Sequence, residues 1–235
     1  MKGVRPIAEI VLLFMFAAAA VGGEQVILQK VQGDVTVRAG VTETWNKISA
    51  GESLKPDVTV KTGSKSSAVI LLSTSNKRIT LPPEVIVDMS DIRELTQEEL
   101  MLKLTMEKVR SSSYQWKNKE LNMPNATAMR GDPKDPKETL AESHPEVGIL
   151  EMNGIRRVLF DNGFYSTSAL KAMDVLRRYP ALKKFENRLL VAQALEKSNL
   201  RSEALNEYVS ISMSTDITKQ QKELVQGKIA QLKKQ

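Results

Sequence analysis

The chain has 235 residues, 41% hydrophobic and 26% charged, a globular composition with room for one large or two small domains. It contains no cysteine and one histidine, which excludes disulfides, thiolate metal sites, cysteine nucleophiles, a lipid-modified N-terminal cysteine and multi-histidine centres. A formal charge of +6 with only 5% aromatics means an aliphatic core and a mildly basic surface, without the basic, aromatic-interleaved stripe of nucleic-acid binders.

Residues 1–23, "MKGVRPIAEIVLLFMFAAAAVGG", set Lys2 and Arg5 ahead of an uncharged apolar run from Ile10 and end in small residues suited to signal-peptidase cleavage. They read as a secretory signal peptide. Left uncleaved they would form an anchor, but the run is shorter than the roughly 20 apolar residues of a spanning helix. Export of a cysteine-free chain fits a bacterial periplasm or a secreted, cell-surface location. After cleavage the charge falls from +6 to +5, because Lys2, Arg5 and Glu9 leave together. Such a surface meets anionic envelope polymers and lipid headgroups rather than nucleic acid.

From Val26 to about Val87 the hydrophobic period is two. "VQGDVTVRAG" puts Val35 and Val37 on one face and Thr36 and Arg38 on the other; "DVTVKT" repeats this with Val58 and Val60. The unbroken run "AVILL" (Ala68 to Leu72) suits a central strand covered on both faces. "RITL" and "VIV" (Val85 to Val87) complete five or six short strands. Gly33, Gly40, Gly51 and Gly63 allow positive φ, Pro56-Asp57 favours a tight turn and Ser75-Asn76 closes the next corner. The expectation is a compact β sandwich or short β solenoid.

"VKTGSKSSAVILL" spells part of a phosphate-binding loop. A Walker loop, however, needs a first glycine where position 58 is Val, and a helix where an apolar β run follows. Nucleotide binding is therefore not expected here.

These segments carry a resemblance. The order "GDVTVR", Trp45 with Ile48 and "GESL", "VKTGSKSSAVILL" and "RITLPPEVIV" resembles the FecR-type domain, and "MPNATAMRG" (Met123 to Gly131) is similar to the segment that often closes it. Pro56-Asp57 stands where the family has Gly-Asp, and "STSNK" replaces its Asp-Gly-Ser turn. The resemblance implies a small β domain over residues 24–110 of an envelope protein. Only nine residues precede the apolar run, so a transmembrane anti-sigma regulator like the founding member is not expected.

Over residues 97–109 two readings stand. Thr96 and Glu99 form a capping box, with Leu95, Leu102, Met106 and Val109 near one helical face. Alternation of Leu100, Leu102, Leu104 and Met106 supports a strand instead. The capping box favours the helix. Residues 111–146 are polar and proline-rich, a linker or arm of which 123–131 could close the β domain. Its "RGD" at Arg130 and sequon at Asn125 match by spelling only.

Residues 147–235 change to a period of 3.6, with Leu182, Phe185, Leu189 and Ala192 on one face and Val225, Ile229 and Leu232 on another. Thr167 or Ser168 and Asp216 are expected as N-caps, and Pro180 as the opening of a helix. Ala169 and Ala204, 35 residues apart, with Ala192 and Tyr208, resemble a degenerate tetratricopeptide pair; a plain antiparallel bundle is the alternative. If Ala204 marks the second helix of a pair, the groove side chains are Glu186, Leu189, Gln193 and Glu196, or these form an ordinary polar face.

Chemistry is sparse. His144 stands in the polar arm with no evident partner, and Glu98-Glu99 and Asp132-Asp135 fall at a cap and in the linker. No cofactor, metal or catalytic residue is expected. Trp45 reads as a packing residue over the β core, whereas Trp116 beside Tyr114 is the better ligand or partner candidate. The whole is α+β in two domains: a FecR-like β domain, then a tetratricopeptide-like helical domain. The expected function is a non-enzymatic envelope adaptor, scaffold or sensor component with a protein partner, the alternative being a wall module binding peptidoglycan or another glycan through Trp45, Trp116 and nearby lysines.

Overall fold

The computed structural model describes residues 26–40, 42, 44–117 and 144–234, with 111–117 described by backbone only. The expected signal peptide, the "RGD", the sequon, Met123 to Gly131 and Asp132-Asp135 lie outside the described residues. Among the described residues eight strands form two antiparallel sheets and six α-helices follow. Among the described residues no helix is long and apolar enough to cross a membrane.

The strands are β1 (Val26–Gln32), β2 (Val35–Ala39), β3 (Asn46–Lys47), β4 (Ser53–Leu54), β5 (Val58–Thr62), β6 (Ser67–Leu72), β7 (Lys77–Leu81) and β8 (Ile86–Asp88). Sheet A has the order β4-β1-β6-β7 and sheet B the order β3-β2-β5-β8. Each chain passage β1–β2, β5–β6 and β7–β8 thus crosses from one sheet to the other. The domain is a single antiparallel ribbon folded across one edge, so its inner faces meet as a sandwich. Val26, Leu28, Ile70, Leu72, Ile79 and Leu81 from sheet A join Val35, Val60 and Val87 from sheet B in the core.

The fold edge is a row of three hydrogen-bonded corners. Gly63 N donates to Asp34 O (2.9 Å) and Asp34 N to Ser66 Oγ (2.7 Å). Thr62 N donates to Val85 O, and its hydroxyl both accepts from Val85 N (3.1 Å) and donates to Pro82 O (2.7 Å). The stretch that spells half a phosphate loop is the middle corner, with buried Ser66 as its tie. Gly33 turns at φ 78°, and a Cβ there would lie 2.6 Å from Ser66 Oγ. Gly63 does not use positive φ; its need is close approach, since a Cβ would stand 3.2 Å from the same hydroxyl.

One further expectation changes. β6 is central, but only Ala68, Ile70 and Leu72 are buried, while Val69 and Leu71 are half-buried. The strand keeps period two because its second face is only partly covered.

The helices are α1 (Gln97–Lys117), α2 (Pro145–Gly154), α3 (Tyr165–Arg178), α4 (Phe185–Lys197), α5 (Arg201–Ser212) and α6 (Lys219–Lys234). A π-helical stretch, Ile155–Phe160, extends α2. The capping box at α1 forms: Glu99 N donates to Thr96 Oγ1 (3.2 Å) and Thr96 N to Glu99 Oε2 (3.4 Å). Its face differs from expectation. Leu100, Leu104 and Glu107 are buried, whereas Leu102, Met106 and Val109 point to solvent. The α1 helix also runs past residue 110, and α2 starts inside the stretch expected as linker.

Helices α3 to α6 stack in sequence as an antiparallel array, with Ala169, Ala192, Ala204 and Tyr208 fully buried. Three end signals fall elsewhere than expected. Thr167 and Ser168 lie inside α3 and bond to Arg93 O and Phe164 O. Pro180 opens a 3-10 turn, Pro180–Leu182, ahead of α4. Thr218 with Gln221, rather than Asp216, boxes α6.

The helical half seats on the edge strands β8 and β7, where the two sheets end, and on the 3-10 turn Met89–Asp91 after β8. A Cβ on Gly154 would overlap the Ile86 carbonyl and come within 2.9 Å of Val87 Cγ2, so only glycine allows this approach. Beside it α3 presents four ions. Lys171 pairs with Asp91 (2.7 Å) and Asp88 (3.1 Å), and Arg177 with Glu107 of α1 (2.9 Å). Asp174 bridges Arg177 (2.7 Å) and Arg178 (3.0 Å), and Arg178 reaches Glu151 of α2 (2.6 Å). Burial opposes the charge on Lys171, yet Asp91 and Asp88 outweigh it and raise the lysine well above its ordinary value. Burial pushes Asp174 up, and Arg178 and Arg177 more than offset it, so the carboxyl sits below its ordinary value. At Glu107 burial wins over Arg177 and the carboxyl is raised.

Gly154→Val is therefore expected to destabilise by about 1–3 kcal/mol through overpacking, read as a lower urea midpoint at unchanged slope. The lowered Asp174 carboxyl contributes stability that is complete above its ordinary value of 3.8 and lost as pH falls through the folded value. Asp174→Asn should accordingly flatten the acid limb of a stability–pH curve. Glu107 carries the opposite sign: its contribution is lost as pH rises above 4.5, so Glu107→Gln should cost least at neutral pH.

Candidate binding site

Register decides what sheet B offers on its outer face. Thr36 pairs with Lys61 and Lys61 with Ile86, while Arg38 pairs with Thr59 and Thr59 with Asp88. All six side chains share the face opposite Val35, Val60 and Val87. Helix α2 packs along the edge strand β8, and its Val147 and Glu151 stand beside this face. The result is a cleft of about 310 Å3, in the size range of small-ligand sites. Its floor is Arg38, Lys61, Ile86 and Asp88, and its far wall is His144, Val147 and Glu151 of α2 with Arg178 and Tyr179 at the end of α3.

Trp45, expected over the β core, lies in this cleft half-exposed. Arg38 Cζ stands 5.0 Å and Lys61 Nζ 5.5 Å from its ring centroid. The residue just ahead of β3 belongs to the outer face of sheet B, while the neighbouring Ile48 turns inward to the core. A cation–π pair is a favourable setting for indole beside a cationic strand.

The carboxylates lining the cleft are already held by other groups. Glu151 is bound to Arg178, Asp88 accepts from Thr59 (2.6 Å) and Lys171, and His144 contacts Glu146 at 3.2 Å, a partner the sequence did not suggest. No carboxylate among the described residues pairs with Arg38 or Lys61, and Arg38 Nε is buried without a hydrogen-bond partner. Tyr179 packs against Gly148, where a Cβ would fall 2.6 Å from the ring. Burial, then Glu151, raises its phenol above the ordinary value, so it remains a neutral donor at physiological pH. The cleft therefore combines an indole, a phenol and two cations, Arg38 and Lys61, that are in no close ion pair, with Glu146 near enough to Lys61 for that lysine to help lower its carboxyl. That set suits an anionic ligand with a flat or ring-shaped apolar surface.

The helical candidates are less open. Glu186 is exposed and Leu189 and Gln193 half-buried, but Glu196 accepts from Tyr208 Oη (2.7 Å) and pairs with Lys228 of α6 (3.1 Å). Glu196 thus ties three helices together. Trp116 lies in the last turn of α1, and its side chain is outside the described set. Glu99 is taken by Arg93 in a two-pronged bond (2.9 and 3.1 Å). Among the described residues no cluster of three acidic or histidine side chains could hold a metal ion.

No protein-family model, curated protein or solved structure matches the chain.

Trp45→Ala tests the placement of the indole. From the outer face it should cost under about 1 kcal/mol in urea unfolding, whereas removing a core tryptophan costs about 3–5 kcal/mol.

Proposed function

We propose that the chain is an exported, non-enzymatic envelope protein whose cleft over sheet B binds an acidic glycan of the cell wall. The observation that carries this reading is Trp45 set against Arg38 and Lys61, with Arg38 Nε buried and unsatisfied. Sugar rings present apolar faces for an indole, and wall glycans bear carboxylates that two cations can meet. The folded ribbon, with its tryptophan turn and Gly-Ser corner in the expected order, supports a FecR-like reading of residues 24–110. Ala169 and Ala204, fully buried near the starts of α3 and α5, support a tetratricopeptide-like reading of 147–235. The periplasm or outer surface is the compartment in which such a ligand is met.

A second reading is the protein adaptor. It rests on the antiparallel array and on the first two turns of α4, where Glu186 is exposed.

Co-sedimentation with purified sacculi separates the two. The protein should pellet with sacculi at low salt and be released as salt rises, with no new reducing ends formed. Trp45→Ala and Arg38→Ala should each weaken retention about tenfold or more. Undiminished retention in both variants would remove the cleft from consideration, and cross-links from 147–235 to one recurrent protein would favour the adaptor.

A further inference from the structure

The wall of the cleft that faces Arg38 and Lys61 carries the chain's one histidine. His144 stands at the N-cap of α2, where its carbonyl accepts from Val147 N (3.0 Å) and Pro145 opens the helix. The backbone is held there, but the imidazole caps nothing and is 58% exposed, with Nδ1 3.2 Å from Glu146 Oε1.

The charges and titratable groups around this ring come from three elements. Its own helix brings Glu146 and Glu151, sheet B brings Arg38, Lys61 and Asp88, and the end of α3 brings Arg178 and Tyr179. Lys171 holds Asp88 and Arg178 holds Glu151. Glu146 stays a carboxylate, since its own backbone N–H, then His144 and Lys61, keep it below the ordinary value. Histidine is the side chain that ordinarily changes charge between about pH 5 and 8, so acidification through that range adds a cation opposite Arg38 and Lys61.

Proton count makes the added charge matter to a ligand. A neutral imidazole has one N–H, and with Nδ1 directed at Glu146 a carboxylate in the cleft is left with Nε2. Only the imidazolium has a donor for each of the two carboxylates, and its bonds are charge-assisted. The positive end of α2 opposes the proton and Glu146 favours it, yet both act with or without ligand. A bound anion therefore fixes the sign: anion and proton strengthen each other's binding by the same factor.

We propose that His144 is a third, acid-acquired cation of the cleft, giving one N–H to Glu146 and the other to the ligand's carboxylate, so that the acidic glycan is held more tightly as pH falls from about 8 to about 5.5. This rests on the glycan reading of the cleft and adds its regulation by pH.

The test measures retention on purified sacculi at the two ends of that range, at one ionic strength, with the untagged chain expressed from its first residue. Retention should be about two- to fivefold stronger at the lower pH, the scale of one exposed ion pair. His144→Gln, uncharged at both, should bring the ratio to about one, and His144→Lys, charged at both, should do so at the tighter level. Because the chain has a single histidine, its imidazole proton resonances report the ring directly, and their titration midpoint should move to higher pH when soluble fragments of the same wall fill the cleft. Retention with the same strength at both ends and an unmoved midpoint would overturn the proposal and leave the glycan reading standing. An undiminished ratio in His144→Gln would also overturn it, placing the pH dependence in the wall or elsewhere on the protein. No retention at either pH would remove both readings.

Discussion

The structure depends on the ions that α3 carries into the seam between its two halves. Lys171, Asp174, Arg177 and Arg178 occupy one face of that helix and reach the 3-10 turn after β8, α1 and α2. Such pairs contribute little net stability, because removing charges from water costs about what their attraction returns. What they contribute is geometry. The three cations of α3 are each answered by carboxylates on other elements, so sliding α3 by a single turn would strand several charges at once. Apolar burial supplies the adhesion: Ile155, Val158 and Leu159, beside the close approach at Gly154, belong to the same buried cluster as the β core. Contact energy without the ions would leave the angle between the halves loosely set. Beside the contact only a water-sized void of about 30 Å3 remains, lined by Gly154, Leu159 and Lys171.

Fixing that angle is what creates the cleft. Arg38 and Lys61 alone would be two solvated side chains on a strand surface, worth little to any ligand. With α2 and the end of α3 held opposite them, water is partly excluded and their charge acts at a lower effective dielectric. Arg178 takes part in both arrangements. It anchors the seam through Asp174 and Glu151 and stacks at 5.2 Å on Tyr179, which walls the cleft. Asp88 and Glu151 are shared in the same way, so damage to the seam reaches the cleft through three side chains.

The β half was legible in the sequence because a half-covered strand writes its burial directly as alternation. Val35, Val60, Ile70 and Ile79 are buried where period two puts them. The capping box of α1 was legible for a similar reason, being local chemistry over four residues. What failed were judgements about which face meets which neighbour. The seven positions Leu100 to Met106 contain apolar residues on both sides of a helix, and pattern alone could not choose between Leu104 and Leu102. Trp45 was misjudged because residue size predicts burial only on average, and an indole beside two cationic strand residues has another favourable place. The cleft itself was out of reach. It joins residues 38, 45 and 61 to residues 144–179, and no local signal announces that contact.

The helical half shows where a small-residue pattern is informative and where it is not. Ala169, Ala192 and Ala204 are wholly buried, as close helix approach requires, so the alanine spacing reported packing faithfully. The polar positions expected to line a groove did not follow with the same reliability. Glu196 has a tyrosine and a lysine as partners within the array, while Glu186, ten residues earlier on α4, remains exposed. Small residues are constrained by volume, which the fold class alone implies. A glutamate can satisfy its charge in water or on a neighbouring helix, and only the tertiary arrangement decides which.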